Sequence, residues 1–209
     1  NAGIEHPRNA HRPWQPAPLK CEAQRLRAGA HLGLAALADL PAKGLLLWLA
    51  GRQLPFPLEY ATARFDAIRA ALEHNDLPAF AVAAPRVLGL GPGLTPSGDD
   101  FLGGIFFALN HAPRRTWLAH LPAVQADLRA RCKTATNVIS AALLDDLMNG
   151  ISYRALHDWL AALQSGRRSD IVASAQGVLR IGVALIGGEA VPFPRLGVVL
   201  RHALAKVVH

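Results

Sequence analysis

The chain has 209 residues, of which 51% are hydrophobic and 18% charged; this excludes general disorder and allows a substantial core. Its formal charge of +7 and pI near 10.2 invite nucleic acid as a partner. The Arg and Lys residues are scattered with no stripe of interleaved aromatics, which speaks against nucleic acid; an acidic small substrate or an acidic partner subunit would explain the surplus as well. No apolar run approaches the roughly 20 residues needed to span a bilayer.

Ala and Leu dominate while β-branched and aromatic residues are sparse, so the expected fold is mainly α. Residues 1–18 carry four prolines with His6, His11 and Trp14, and read as an extended arm; residues 19–209 read as one helical domain. The pattern is helical over 19–40 and again over 41–52, where Trp48 takes the buried side. Over 57–74, Tyr60, Ala63, Ile68, Ala71 and Leu72 recur near the 3.6-residue period. Residues 76–88 form a helix or extended lead, interrupted by Pro85.

The next stretch concentrates the special residues: Gly89-Leu-Gly-Pro-Gly-Leu-Thr-Pro-Ser-Gly-Asp-Asp-Phe-Leu-Gly-Gly104. Alternating glycines allow positive φ and close backbone approach. Thr95 is placed to cap a helix whose first residue is Pro96. Asp99 and Asp100 then favour the positive end of the helix dipole. From Phe101 the chain is apolar on every side, predicting a buried central helix fed by a glycine-rich loop. Such a loop can cradle an anion. Asp99 and Asp100 would repel a bare phosphate, a conflict removed by Mg²⁺ bridging to substrate oxygens, or by an amide or hydroxyl substrate. The candidate binding residues here are Gly91, Gly93, Thr95, Ser97 and Gly98, with Asp99 and Asp100 as catalytic or Mg²⁺-holding carboxylates.

Further on, residues 122–148 read as one long helix. Leu128, Cys132, Ala135, Ile139 and Ala142 are its expected core face. Lys133, Thr136, Asn137 and Ser140 form a polar stripe that is either plain surface or, where it faces the loop, supplies a cation and hydroxyl donors to a substrate. Asn149-Gly150 is a helix stop. Residues 152–164 are amphipathic through Leu156, Trp159, Leu160 and Leu163, with Ser152 as cap. A helix follows from Ser169 or Asp170 to about residue 186, and another over 196–208. Cys21 and Cys132 have no metal or disulfide spacing and read as small core residues. With no signal-peptide pattern, they predict a cytoplasmic protein.

The stretch at residues 88–104 resembles, nearly completely, the signature of a bacterial family long described only as a domain of unknown function. One member of that family is a subunit of the oxamate carbamoyltransferase of purine breakdown. Weaker similarity continues at Thr136, Ile139, Ser140, Leu143 and Leu144, with Gly150 closing that segment. The family's second Gly/Ser/Asp motif corresponds here to residues 180–189, which contain neither serine nor aspartate. The resemblance implies a carbamoyltransferase-like subunit that binds a small carboxylate, an amide or carbamoyl phosphate at residues 89–100, alongside hetero-oligomeric partner subunits. The other reading of the same loop is a non-catalytic scaffold or regulatory subunit that binds a metabolite or a protein.

Overall fold

The computed structural model describes residue 16 and residues 21–38, 45–49, 51–112 and 116–184. The predicted arm (save residue 16), the closing helix at 196–208 and the second motif beyond residue 184 lie outside the described residues. Within them the fold is helical with no strand, as the composition predicts. None of these helices is long and apolar enough to cross a membrane.

The order is α1 (Ala23–Ala38), α2 (Leu45–Leu49), a 3₁₀ turn (Leu58–Ala61), α3 (Thr62–Glu73), α4 (Leu77–Ala83) and a second 3₁₀ turn (Ala84–Val87). After the glycine-rich loop come α5 (Ser97–His111), α6 (Leu121–Ala135), α7 (Val138–Met148), α8 (Arg154–Ser165) and α9 (Arg168–Ala184). Helix α5 is the axis of the molecule. From Ser97 to Leu109 every residue except Asp100 is buried. A helix apolar all round can be stable only where other helices cover every face. Helix α7 covers one of them, so closely that a Cβ on Gly103 would lie 2.4 Å from Leu147 Cδ1. That contact accounts for a glycine in a helix interior, where it otherwise costs roughly 1 kcal/mol against alanine.

Aromatic rings cover another face of α5. Trp48 of α2, Phe65 of α3 and Phe101 of α5 meet with ring centroids 5.3–5.9 Å apart. Phe80 of α4 bridges Phe106 and Trp117 at 5.9 and 5.3 Å. Edge-to-face and tilted pairs of this kind are worth about 0.5–1.5 kcal/mol beyond the area they bury. Helices α1, α8 and α9 pack on one another, with α8 burying Leu156, Trp159, Leu160 and Leu163 as its periodicity predicts.

Three expectations need correction. Tyr60 and Ala63 are exposed, because residues 58–61 form a 3₁₀ turn whose phase differs from that of the helix after it; Phe65 joins Ile68, Ala71 and Leu72 in the core instead. Ser152 is not the cap of α8, which starts after Tyr153. The predicted helix over 122–148 is two helices, broken at Thr136 and Asn137. Thr136 is extended, and the Asn137 side chain caps α7 by accepting from the amides of Ile139 at 3.1 Å and Ser140 at 3.0 Å. The break resets the helical phase. Leu128 and Cys132 are buried as expected, but Ala135, Ile139 and Ala142 are exposed while Ser140, Leu144, Leu147 and Met148 turn inward.

Candidate functional site

The glycine-rich loop is held at both ends by contacts only glycine permits. Gly89 has φ +70°, and a Cβ there would fall 2.1 Å from the carbonyl oxygen of Ala135, at the end of α6. Gly98 lies in the first turn of α5, where a Cβ would fall 1.7 Å from the Val87 carbonyl oxygen; its own N–H donates to Leu90 O at 2.9 Å. Helix α5 opens one residue later than predicted. Pro96, not Thr95, is its N-cap, since the Pro96 carbonyl accepts from the amides of Asp99 and Asp100 at 3.0 and 3.1 Å. Ser97 is therefore the first helical residue, 0% exposed, and its Oγ has no hydrogen-bond partner among the described residues. It lies directly under the loop: a Cβ on Gly91 would be 2.5 Å from that hydroxyl. A buried unpaired hydroxyl is costly to keep, by about 1–3 kcal/mol.

Asp99, only 2% exposed, joins the loop to the α6–α7 break. Its Oδ1 accepts from the Gly89 amide at 2.7 Å. Its Oδ2 accepts from the Thr136 hydroxyl and, at 2.7 Å, from the Ser140 hydroxyl. A second tie runs alongside, from Asn137 Nδ2 to the Leu94 carbonyl at 2.8 Å. The break is what makes this possible. In a continuous helix Thr136 would have helical backbone and Asn137 could not cap. Here the extended Thr136 and the first turn of α7 present two hydroxyls to one carboxylate. Three donors satisfy a buried carboxylate and hold the loop to the helix pair.

Thr136 also heads a groove of about 520 Å³ between α6 and α7. Cys132, Leu144 and Met148 line its depth, and Lys133 stands exposed on its rim. Arg129 closes one side through an ion pair with Asp145 and a 3.3 Å hydrogen bond to Asn149 Oδ1. Burial first, then the nearby carboxylates of Asp99 and Asp145, push the Cys132 thiol up to about 11, so it stays protonated at neutral pH.

At the other end of α5, His111 contacts the Gly150 carbonyl through a ring nitrogen at 3.3 Å. It packs on Phe107, with ring centroids 4.5 Å apart, and lies 5.6 Å from the His157 ring of α8. Burial lowers the pKa of both imidazoles; the charge of His111 lowers that of His157 further, while Asp158 opposes the shift. The folded state thus prefers both rings neutral. Their contribution to stability is complete above the unfolded value of about 6.5 and is lost as pH falls through that value toward the lowered folded ones. Thermal melting followed from pH 8 to 5 should show the melting temperature dropping below about pH 6.5, and His157→Gln should flatten that slope. An unchanged slope in the variant would show that the pair is not responsible.

The structure therefore gathers Ser97, Asp99, Thr136 and Ser140, all expected site residues, around the start of α5. Gly91 lies over Ser97, with Thr95 half-buried beside it and Gly93 exposed at the loop tip with open space around it. Asp100 is half-buried, and after burial its charge and that of Asp146 raise the Tyr153 phenol, so it lies within electrostatic reach of the α7–α8 turn. Lys133 sits on the groove rather than at the loop. Sequence reasoning left out Gly89 as a donor and Asn137 as a cap and loop tie; an Asn followed by a β-branched pair was the available sign. For Mg²⁺ the fit is poor. The two oxygens of Asp99 already accept from three protein donors, so binding Mg²⁺ there would compete with the bonds that hold the loop.

Residues 87–184 match the model of the family described as oxamate carbamoyltransferase subunit AllH. The match covers the loop, α5 and the α6–α7 pair, and agrees with the resemblance seen at residues 88–104. Neither the curated proteins nor the solved structures contain a match.

Proposed function

We propose that this chain is a subunit of a carbamoyl-transferring assembly, and that it binds a small carboxylate or amide substrate, or carbamoyl phosphate, where the glycine-rich loop crosses the start of α5. The observation that carries this reading is the family match, whose span takes in the loop and every residue that Asp99 ties to it. Two local features support it. A helix N-terminus attracts anionic oxygens. The Ser97 hydroxyl beneath Gly91 is a buried donor with no partner among the described residues. In carbamoyl transfer, charge develops on the carbonyl oxygen, and prepositioned N–H and O–H donors stabilise it. Asp99 in this scheme is a positioning residue: its oxygens hold the loop rather than meet the substrate.

That same fact favours, as a second reading, a non-catalytic subunit whose loop binds a metabolite or another chain. A thermal-shift experiment with carbamoyl phosphate and with oxamate tests the first. Ligand at about 100 times its Kd stabilises the folded state by about 2.7 kcal/mol, worth roughly 5–10 °C in a chain of this size. The expected result is a shift in the wild type that is lost in Ser97→Ala, with the variant's own melting temperature no lower than wild type. A full shift in Ser97→Ala would move the ligand away from this loop.

A further inference from the structure

The α6–α7 groove is larger than the proposed substrates require. At about 520 Å³ it is the size of sites that accept drug-sized molecules, whereas oxamate and carbamoyl phosphate have only a few heavy atoms. Its depth is apolar, formed by Cys132, Leu144 and Met148, with Val138 and Ala141 on the α7 side. The apolar surface also continues beyond the groove. Val138 is 82% exposed, Ile139 49% and Leu94 62%, and the Asn137–Leu94 hydrogen bond brings Leu94 to the start of α7. One exposed aliphatic side chain needs no explanation, but Val138 on the groove lining, Ile139 next to it in α7 and Leu94 tied through its carbonyl to the same helix start indicate a contact surface wider than a small molecule covers. Helix α6 has little cover of its own, burying Leu128 and Cys132 alone.

Charge narrows the occupant. Arg129 is engaged by Asp145, whereas Lys133 is exposed on the rim and makes no ion pair or hydrogen bond among the described residues. We propose that this groove is the docking site for an amphipathic helix from another chain of the same assembly. That helix lays an apolar ridge along Cys132, Val138, Ala141 and Leu144 and places a carboxylate on Lys133. Helix-in-groove recognition uses anchors at i, i+3 or i+4, and i+7, which suits a groove running between two helices. The proposal rests on the subunit reading above. It adds a link between docking and the candidate site, since Thr136 both lines the groove and donates to Asp99.

The test is assembly of the purified chain with the remaining subunits of the oxamate carbamoyltransferase, read by size-exclusion chromatography with light scattering and by titration. Wild type should form a complex of fixed stoichiometry. Val138→Asp and Ala141→Trp should weaken it at least about tenfold while each variant alone melts like wild type. Lys133→Glu should weaken it about fivefold, more at low salt than at high salt. Tyr60→Asp, at an exposed ring outside the groove, should change nothing. Wild-type affinity in both Val138→Asp and Ala141→Trp would overturn the docking site while leaving the subunit reading intact. A wild type that forms no complex with those chains would overturn the subunit reading, and this proposal with it. A wild type that instead self-associates, and loses that association in Val138→Asp, would assign the groove to a second copy and overturn the hetero-partner.

Discussion

Asp99→Ala is expected to destabilise the protein by roughly 3–4 kcal/mol. The side chain is 2% exposed and satisfies three donors, the Gly89 amide and the Thr136 and Ser140 hydroxyls. Each donor left unpaired in a buried site costs about 1–3 kcal/mol. Gly89 and Thr136 are half-buried and water can reach them in part, so the lower end of that range applies to both. For a chain of this length the loss amounts to about 10 °C in melting temperature. Asp99→Asn should cost less, about 1–2 kcal/mol, because the amide oxygen keeps the Gly89 bond and the amide nitrogen can donate to hydroxyls that turn around to accept. Ser140→Ala alone should cost about 1 kcal/mol. Thermal and urea unfolding of the three variants provide the measurement. A carboxylate reserved for chemistry behaves differently, since removing it leaves stability unchanged or raised while activity is lost. If Asp99→Ala melts with the wild type, Asp99 is not what holds the loop.

Gly98→Ala should be comparably damaging for a different reason. The added methyl would lie 1.7 Å from the Val87 carbonyl oxygen and 2.8 Å from its carbon, both backbone atoms, so a rotamer change relieves nothing. Real contacts require more than 3.0 Å, and the chain must move the start of α5 away from the preceding 3₁₀ turn to reach it. Overpacking of this kind costs about 3 kcal/mol or more. The displacement also pulls on Asp99, the next residue, so binding at the loop should fall together with stability. Gly93→Ala is the matching control. Its φ of +98° strains any side chain, but nothing lies within 4 Å of the added carbon. The expected cost is therefore about 1–2 kcal/mol of backbone strain, with the Asp99 bonds intact. Equal losses in the two variants would show that the glycines matter for flexibility alone, and that the approach of Gly98 to Val87 is not the constraint.

These two results bear on the choice between the functional readings. If Asp99 and Gly98 act only by shaping the loop, a ligand effect that survives mild variants such as Asp99→Asn points to Ser97 and the loop amides as the binding groups. If ligand response instead follows Asp99 even where stability is kept, the carboxylate touches the ligand and the catalytic role first expected for it returns.

Much of this protein was legible in its amino-acid order. The Ala/Leu-rich composition, the all-round apolar run after Phe101 and the stripe on α8 depend on propensity and local period, and the helices follow from them. The glycine-rich loop was equally plain, because positive φ and a helix start are marked by Gly, Pro and Asp within a few residues. The resemblance at residues 88–104 pointed to the family that the comparison then matched. The break between α6 and α7 was marked only by Asn137 standing before Val138 and Ile139, a weak local sign. Nothing at Thr136 or Asn137 interrupts a helix by force; there is no proline or glycine, and the apolar period runs on from Leu128 to Ala142 as though the helix were continuous. What ends α6 there is a set of contacts with residues 37 to 43 positions away: Thr136 and Ser140 on Asp99, and Asn137 on Leu94. Those contacts turned three polar residues from the surface stripe of one helix into the joint that holds the loop, and opened the groove beside it. Local sequence specifies what each segment can form. The partner of a buried carboxylate is set by which distant segments the core brings together, and that belongs to the tertiary structure alone.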